Sequence, residues 1–180
     1  MYLNNFEVSI PQGKELSNGF IVMKHSTKYA VKLTNANHEH CDASIKIDGK
    51  LVGTWRIYDH ETISIEHPAN DVGIFTFYQI NSLESDKISL VNDEELGLIS
   101  ILFKPEKLHR RKNPSSADSS FFFSAGGTGL SGKSKQKFTE IPPLYYDESK
   151  FVQINIRLVC EEDAPRPLIP VSSPIPPAIG

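Results

Sequence analysis

Apolar residues recur at every second position through much of residues 29–78, in segments separated by turn residues. In the clearest segment, Ala43, Ile45 and Ile47 alternate with polar residues. A period of two places the apolar side chains on one face of a β-strand, so we expect one face of each strand to be buried and the other to meet water. The pattern predicts an antiparallel β-meander.

The strongest local signal lies between two of these alternating segments. Asp48 and Gly49 form a two-residue turn there, which is typical of a β-hairpin. The returning strand carries the single tryptophan, Trp55, which its position predicts to be a core residue, and Gly53 within it predicts a bulge or a close backbone approach. The run 97–103 is predicted to be a strand buried on both faces. Predicted strands are 20–23, 28–34, 42–47, 51–57, 62–66, 73–80, 97–103 and 151–160, with weaker signals at 88–91 and 121–123.

About eight short strands without a convincing helix predict an all-β fold, an antiparallel β-sandwich or jelly roll with long loops. A chain of 180 residues fits a single domain. We assign the sandwich to residues 19–160, after an N-terminal lead-in over 1–18. Within it, residues 104–120 are predicted to form a mobile loop and 126–134 a glycine-rich loop. Residues 161–180 form a proline-rich tail, which cannot join a sheet interior and is expected to be extended.

Composition excludes some classes of protein. The formal net charge of −3 is unlike that of chains that coat nucleic acid. No stretch approaches the ~20 apolar residues of a membrane-spanning helix, and residues 1–13 lack the basic start and apolar run of a signal peptide. We therefore expect no membrane span and a cytoplasmic location. In that compartment Cys41 and Cys160 are expected to be reduced, buried thiols.

One string fits the pattern of a nucleotide-binding loop. Residues Gly127 to Ser134 have two glycines with four residues between them, followed by Lys-Ser, and such a loop cradles phosphates with its backbone N–H groups. That chemistry needs a strand before the loop and a helix after it, and Pro142 and Pro143 leave room for at most two helical turns. We predict a flexible Gly/Ser loop here, with no nucleotide and no other cofactor.

Histidines are grouped in a way that invites a metal-site interpretation. His38, His40 and Cys41 lie in or beside one connection, while His60 and His67 flank a later strand. A zinc site needs three or four converging ligands, and this spacing alone does not specify them. We favour polar loops and predict no metal site, leaving open whether these side chains converge at one end of the sandwich.

Signatures of catalysis are missing from the sequence. No serine occupies the Gly-x-Ser-x-Gly frame of a nucleophile elbow. The acidic residues Asp59, Glu61, Glu66 and Asp71 alternate with apolar positions, as the solvated face of a strand does. We therefore predict no catalytic residues and no enzymatic activity.

A compact β-core with an extended arm at each end and no evident active site resembles the small single-jelly-roll proteins that form or decorate viral capsids. The resemblance covers roughly residues 19–160 and concerns architecture alone. It implies a structural or assembly protein, part of a virion, in which the arms and the 104–120 loop contact other copies or neighbouring structural proteins. The predicted partner-binding residues are Arg110, Arg111, Lys112, Pro167, Pro170, Pro174, Pro176 and Pro177.

A second function fits the same fold. Exposed aromatic rings offer apolar faces to carbohydrates and similar ligands, so the chain could be a ligand-binding β-sandwich module. The candidate rings are Trp55, Tyr58, Tyr78, Tyr145 and Tyr146.

Overall fold

A computed structural model describes residues 1–79, 94–108 and 128–160, and these ranges are all-β, as predicted. The one helical element among them is the short 3-10 helix η1 (Glu148–Lys150). The described strands are β1 (Tyr2–Leu3), β2 (Phe6–Ser9), β3 (Lys14–Glu15), β4 (Phe20–Met23), β5 (Thr27–Lys28), β6 (Val31–Asn35), β7 (Cys41–Ile47), β8 (Lys50–Ile57), β9 (Thr62–Ile65), β10 (Ile74–Phe77), β11 (Leu98–Pro105), β12 (Thr128–Ser131) and β13 (Val152–Cys160). In these ranges no helix has the length and apolar character needed to cross a membrane.

These strands form three sheets, with the orders β3-β4-β13-β11-β7-β8, β1-β2-β6-β9 and β12-β10-β5. All strand pairs are antiparallel except β4 and β13, which run parallel and make the six-stranded sheet mixed. The predicted meander is wrong, because between residues 29 and 78 only β7 and β8 follow one another and also pair. Alternation reveals which face of a strand is buried, but the neighbouring strand in the sheet depends on contacts distant in sequence.

The core lies between the six-stranded and four-stranded sheets, an arrangement consistent with a β-sandwich. Inward side chains from both sheets form one cluster of buried residues. The ring of Phe6 on β2 stacks on Phe103 of β11 with 4.3 Å between ring centroids, which joins the two sheets directly. Trp55 is 8% exposed and packs edge-to-face on Phe138, so its predicted core position is confirmed. Cys41 and Cys160 are free and buried, also as predicted.

The β7–β8 hairpin has the predicted geometry. Asp48 and Gly49 have φ angles of 52° and 79°, the left-handed region that a type I′ turn requires at both positions. The register shifts by one residue beside Gly53 and leaves Val52 without a cross-strand partner, which is the predicted bulge. A Cβ on Gly53 would lie 2.5 Å from the Trp55 ring, so this close approach requires glycine.

Two segment assignments and one burial pattern predicted from the sequence are wrong. Residues 1–18 are not a lead-in before a first strand at 20–23, because β2 pairs with β6 and buries Phe6 and Val8 in the core. The predicted glycine-rich loop 126–134 contains β12, which pairs with β10. Strand β11 is not buried on both faces, since its buried residues alternate with half-buried ones. In the first two cases short strands occupy segments that we interpreted from their glycines and prolines alone. In the third case the strand was predicted, but its apolar run concealed that one face is only half-buried.

Candidate functional site

One end of the six-stranded sheet gathers several connections. Strands β7 and β13 begin there and strands β8 and β11 end there, because each of these neighbouring pairs is antiparallel. We use the term loop end for this surface, which comprises residues 36–40, 58–61, 106–108 and 142–151. In β-sandwiches such loops carry binding residues on a rigid scaffold.

The buried side chain of Asn35 organises two loops of the loop end. Its amide nitrogen donates to the carbonyl oxygens of Glu39 at 2.8 Å and Tyr58 at 3.2 Å. Its amide oxygen accepts from the backbone N–H of Asn37 at 3.0 Å. The backbone N–H of Asn35 also donates to the carbonyl oxygen of Glu61 at 2.9 Å. One residue at the end of β6 thus fixes the 36–40 and 58–61 loops in relation to each other.

Asp42, which is 4% exposed, fixes the 142–151 segment in the same way. Its carboxylate accepts from Nε of Arg56 at 2.7 Å and Nη2 at 3.2 Å, a two-point ion pair. It also accepts from the backbone N–H of Leu144 at 3.2 Å and the hydroxyl of Tyr146 at 2.7 Å. Arg56 in turn donates to the carbonyl oxygen of Pro142 at 2.8 Å. The segment is therefore held against the outer face of the sheet.

The protonation states around Asp42 suit this holding role. Burial, together with the hydrogen bond to Asp42, raises the pKa of Tyr146, so the phenol stays protonated and donates. Desolvation opposes the charge on Arg56, but the hydrogen bond and charge of Asp42 outweigh it and raise the Arg56 pKa. Burial lowers the pKa of Lys104, whose ammonium lies 4.9 Å from the centre of the Tyr146 ring. Tyr146 and Arg56 are thus moved away from the neutral range in which a general acid or base works.

Around these anchors, the loop end exposes large apolar side chains. Tyr58 is 48% exposed, Leu108 is 59% exposed and Tyr145 is 55% exposed. The backbone under Tyr145 is fixed, because its carbonyl oxygen accepts from the N–H of Lys107 at 2.7 Å. Lys107 and residues 144–149 line an open cavity of about 490 Å³ beside this ring. Exposed tyrosines on a fixed backbone are suited to binding, because the backbone is already ordered and each ring has only two side-chain torsions to restrict on contact.

The structure brings three of the histidines to the loop end. Nε2 of His60 lies 3.0 Å from Nδ1 of His38. Nδ1 of His40 lies 3.2 Å from a carboxylate oxygen of Asp59 and the His40 ring packs edge-on against Tyr58. Among the described residues, no three His, Cys, Asp or Glu side chains are placed to hold a metal ion together.

The remaining candidate ligands lie elsewhere. Both ring nitrogens of His67 are engaged, with the carbonyl oxygens of Pro68 at 2.7 Å and Gln136 at 2.9 Å. Cys41 belongs to the buried core cluster. The two residues therefore contribute nothing to the histidine group at the loop end.

The nucleotide-loop string has the wrong surroundings in the structure. Thr128–Ser131 is a strand, and no helix follows it in the described residues up to η1. The hydroxyl of Ser134, which would hold magnesium in such a loop, donates to the carboxylate of Glu66 at 2.7 Å. A helix N-terminus with oriented N–H groups is therefore not next to the string. That magnesium-nucleotide does not bind stays a prediction.

The other predicted site residues are scattered. Of the five candidate rings for a ligand-binding module, Tyr58 and Tyr145 are exposed, Tyr78 and Tyr146 are half-buried, and Trp55 is in the core. The predicted contact residues Arg110, Arg111, Lys112, Pro167, Pro170, Pro174, Pro176 and Pro177 lie outside the described residues, as do the tail, most of the 104–120 loop and the weak strand signals at 88–91 and 121–123.

Sequence reasoning missed the two anchors, Asn35 and Asp42. A signal for Asn35 was available, because it occupies the next inward position after Val31 and Leu33 and so breaks an apolar series with an amide. Asp42 lies on the outward face, where a carboxylate is ordinary, and only the folded chain shows that Tyr146 and Leu144 cover it.

Comparison with known proteins adds no family. No family model matches the chain, and neither a curated protein nor a solved structure matches it.

Proposed function

We propose that this chain is a non-enzymatic assembly protein that associates with further copies of itself through the loop end. The observation that carries the proposal is the exposed ring of Tyr145, next to an open cavity, on a segment that the buried carboxylate of Asp42 holds in place. Tyrosine is enriched at the energetic centres of protein interfaces, because its ring buries a large area and its hydroxyl can stay hydrogen-bonded.

The segment of the neighbouring copy that best fits this surface is the proline-rich tail. Proline-rich chains in an extended conformation dock on aromatic rings and lose little entropy in doing so. Arg166 is the only charged residue in 165–180. The cavity beside Tyr145 is lined by two acidic residues, Asp147 and Glu148, and by one basic residue, Lys107, so its net negative charge complements Arg166. In this arrangement each copy gives its tail and receives another.

A capsid or virion role is the specific form of the proposal that the architectural resemblance favours. A compact β-core with an extended arm suits a particle in which cores pack side by side and arms connect neighbours. The predicted cytoplasmic or virion location belongs to the same proposal.

Sedimentation velocity of the full chain tests the proposal. We expect concentration-dependent association, weakened by at least about 2 kcal/mol in Tyr145→Ser, as for a central interface tyrosine, and weakened also in Arg166→Glu through charge reversal. The matched control is Val72→Ser, which changes a side chain that is 50% exposed on a different loop. Equal association of Tyr145→Ser and the parent chain would contradict the proposed interface.

The ligand-binding alternative uses the same ring of Tyr145 and the same cavity. The Tyr145→Ser variant can therefore be used to distinguish ligand binding from assembly. If the full chain is monomeric and an immobilised glycan array retains it in a Tyr145-dependent manner, the ligand-binding module replaces the assembly role. Retention by no glycan would count against that alternative.

A further inference from the structure

Two exposed imidazole rings at the loop end are held together by their loops. His38 belongs to the 36–40 loop and His60 to the 58–61 loop, and both side chains are exposed. Nε2 of His60 lies 3.0 Å from Nδ1 of His38, and the ring planes are inclined at 73°. His38 and His60 are 22 positions apart in sequence, so the fold and not the local chain geometry brings them together.

The positions of both loops are fixed from beneath. Asn35 bonds to the carbonyl oxygens of Glu39 and Tyr58, one in each loop. The carboxylate of Glu61 accepts from the N–H of Tyr58 at 2.8 Å, which closes the second loop. His60 itself has a φ of 55°, a conformation that the closed loop imposes. The backbones that carry the two rings are therefore preorganised.

The spacing of the two nitrogens matches the bite of a chelated metal ion. Nitrogen ligands lie ~2.0–2.1 Å from a bound ion. Two such ligands that are 3.0 Å from each other, as these nitrogens are, make an angle of about 95° at the ion. That angle is close to the ~90° between neighbouring ligands in square-planar and tetragonal sites, and smaller than the ~109° of tetrahedral zinc. Imidazole nitrogen is a ligand of zinc, copper(II) and nickel(II) alike, so the angle at the ion is the feature that favours copper and nickel.

We propose that His38 and His60 form a two-histidine site for a transition-metal dication, copper(II) or nickel(II) in preference to zinc. On binding, the ion takes the place of the hydrogen between the two rings, and the ring that donated this hydrogen carries its one proton on its other ring nitrogen instead. Both rings therefore stay neutral, and each turns about its Cβ–Cγ bond to direct a lone pair at the ion. Since the described residues supply no third side chain to the pair, water fills the other coordination positions. The proposal does not depend on the assembly role of the chain.

Calorimetric titration of the full chain with copper(II), nickel(II) and zinc(II), in a buffer that does not coordinate metals, tests this site. We expect one ion per chain, with copper bound most tightly and magnesium not bound, following the order of divalent-metal affinities for nitrogen ligands. His38→Ala and His60→Asn should each weaken binding at least tenfold, because each leaves one imidazole. Asparagine is chosen at position 60 because it tolerates positive φ.

The control is His25→Asn, which removes a histidine that packs against Tyr78, away from the pair. It should leave the affinity unchanged, and circular dichroism should show the same fold for all variants. Electron paramagnetic resonance of the copper complex supplies an independent readout and should show coupling to two nitrogens. Absence of saturable copper binding, binding that survives both loop-end substitutions, or zinc bound more tightly than copper and nickel would overturn the proposal.

Discussion

Asp42 joins the six-stranded sheet to the segment that covers its outer face. Its carboxylate accepts four hydrogen bonds, from Arg56, Leu144 and Tyr146, while almost entirely buried. A carboxylate in that position is stable only with its full set of donors, because an unpaired buried charge is strongly disfavoured. The same hydrogen bonds position Tyr145, so stability and the proposed binding surface depend on one residue.

Asp42→Ala should therefore lower the free energy of unfolding by ~3–5 kcal/mol, since Arg56 would keep its charge without a carboxylate to balance it. Lys46→Ala is the control on the same strand and face, and this exposed position should change stability by no more than about 0.5 kcal/mol. Urea denaturation measures both. An Asp42→Ala/Arg56→Ala double variant that loses the full sum of the two single effects would show that the pair is not coupled.

Burial suppresses the ionisation, and so the reactivity, of the Cys41 thiol. Burial, with a smaller contribution from the charge of Asp42, raises the pKa of its thiol to about 12. The folded thiol is therefore protonated at neutral and mildly alkaline pH, whereas the unfolded thiol ionises near ~8.5. Stability from this group is complete below pH ~8.5 and is lost as the pH rises toward 12, because only the unfolded chain then releases the proton.

In a Cys160→Ala variant, Cys41 should accordingly fail to react with a disulfide reagent at pH 8 until denaturant is added. The thiolate is the reacting species, and the native fold contains almost none of it. The reaction is measured by the absorbance of the thiol that the disulfide reagent releases. Rapid labelling in native buffer would mean that Cys41 is accessible and ionised.

At the scale of elements, the β7–β8 hairpin shows how glycine and tryptophan positions are coupled. Gly53 lies where a Cβ would overlap the Trp55 ring, and the ring is buried against Phe138. Trp55→Ala should lower the free energy of unfolding by ~3–5 kcal/mol through lost burial and a residual cavity. Thr54→Ala, on the opposite face, should cost about 1 kcal/mol or less. An emission maximum at the wavelength of a solvent-exposed indole, measured on the native protein, would contradict this packing of the single tryptophan.

A feature of the fold could be predicted from the sequence only where it depends on residues that are close together in the chain. The hairpin at Asp48, the bulge at Gly53 and the burial of Trp55 were predicted because turn dihedrals and strand alternation are properties of neighbouring residues. The parallel pairing of β13 with β4 was not, since it joins segments more than 130 positions apart. Strands β1 and β3 were missed because they have two residues each and carry too few positions to show a period. Strand β2 does alternate, with Phe6 and Val8 buried, and it was missed because we interpreted residues 1–18 from the chain-breaking Pro11 and Gly13.

For the candidate site the division is similar. Tyr58, Tyr145 and the histidines at 38, 40 and 60 were recognised as candidates from residue type. Their convergence at the loop end results from the antiparallel order of β7, β8, β11 and β13, which no local pattern encodes. Side-chain type therefore suggested the candidates, and the sheet order selected among them.

At the scale of the whole molecule, the proline-rich tail should be separable from the stability of the core. The last described strand ends at Cys160, before the tail begins. Removing residues 161–180 should leave the melting temperature nearly unchanged while weakening association between copies. Differential scanning calorimetry measures the first effect. A large fall in melting temperature would mean that the tail packs on its own sandwich.

The most direct test of the assembly role is the molar mass of the full chain in solution, measured by light scattering over a wide range of concentration. The chain mass is 20.1 kDa. Self-association predicts a mass that rises with concentration to a multiple of this value, and a lower multiple at each concentration for Tyr145→Ser. A mass that stays at that of one chain throughout the range would contradict the account.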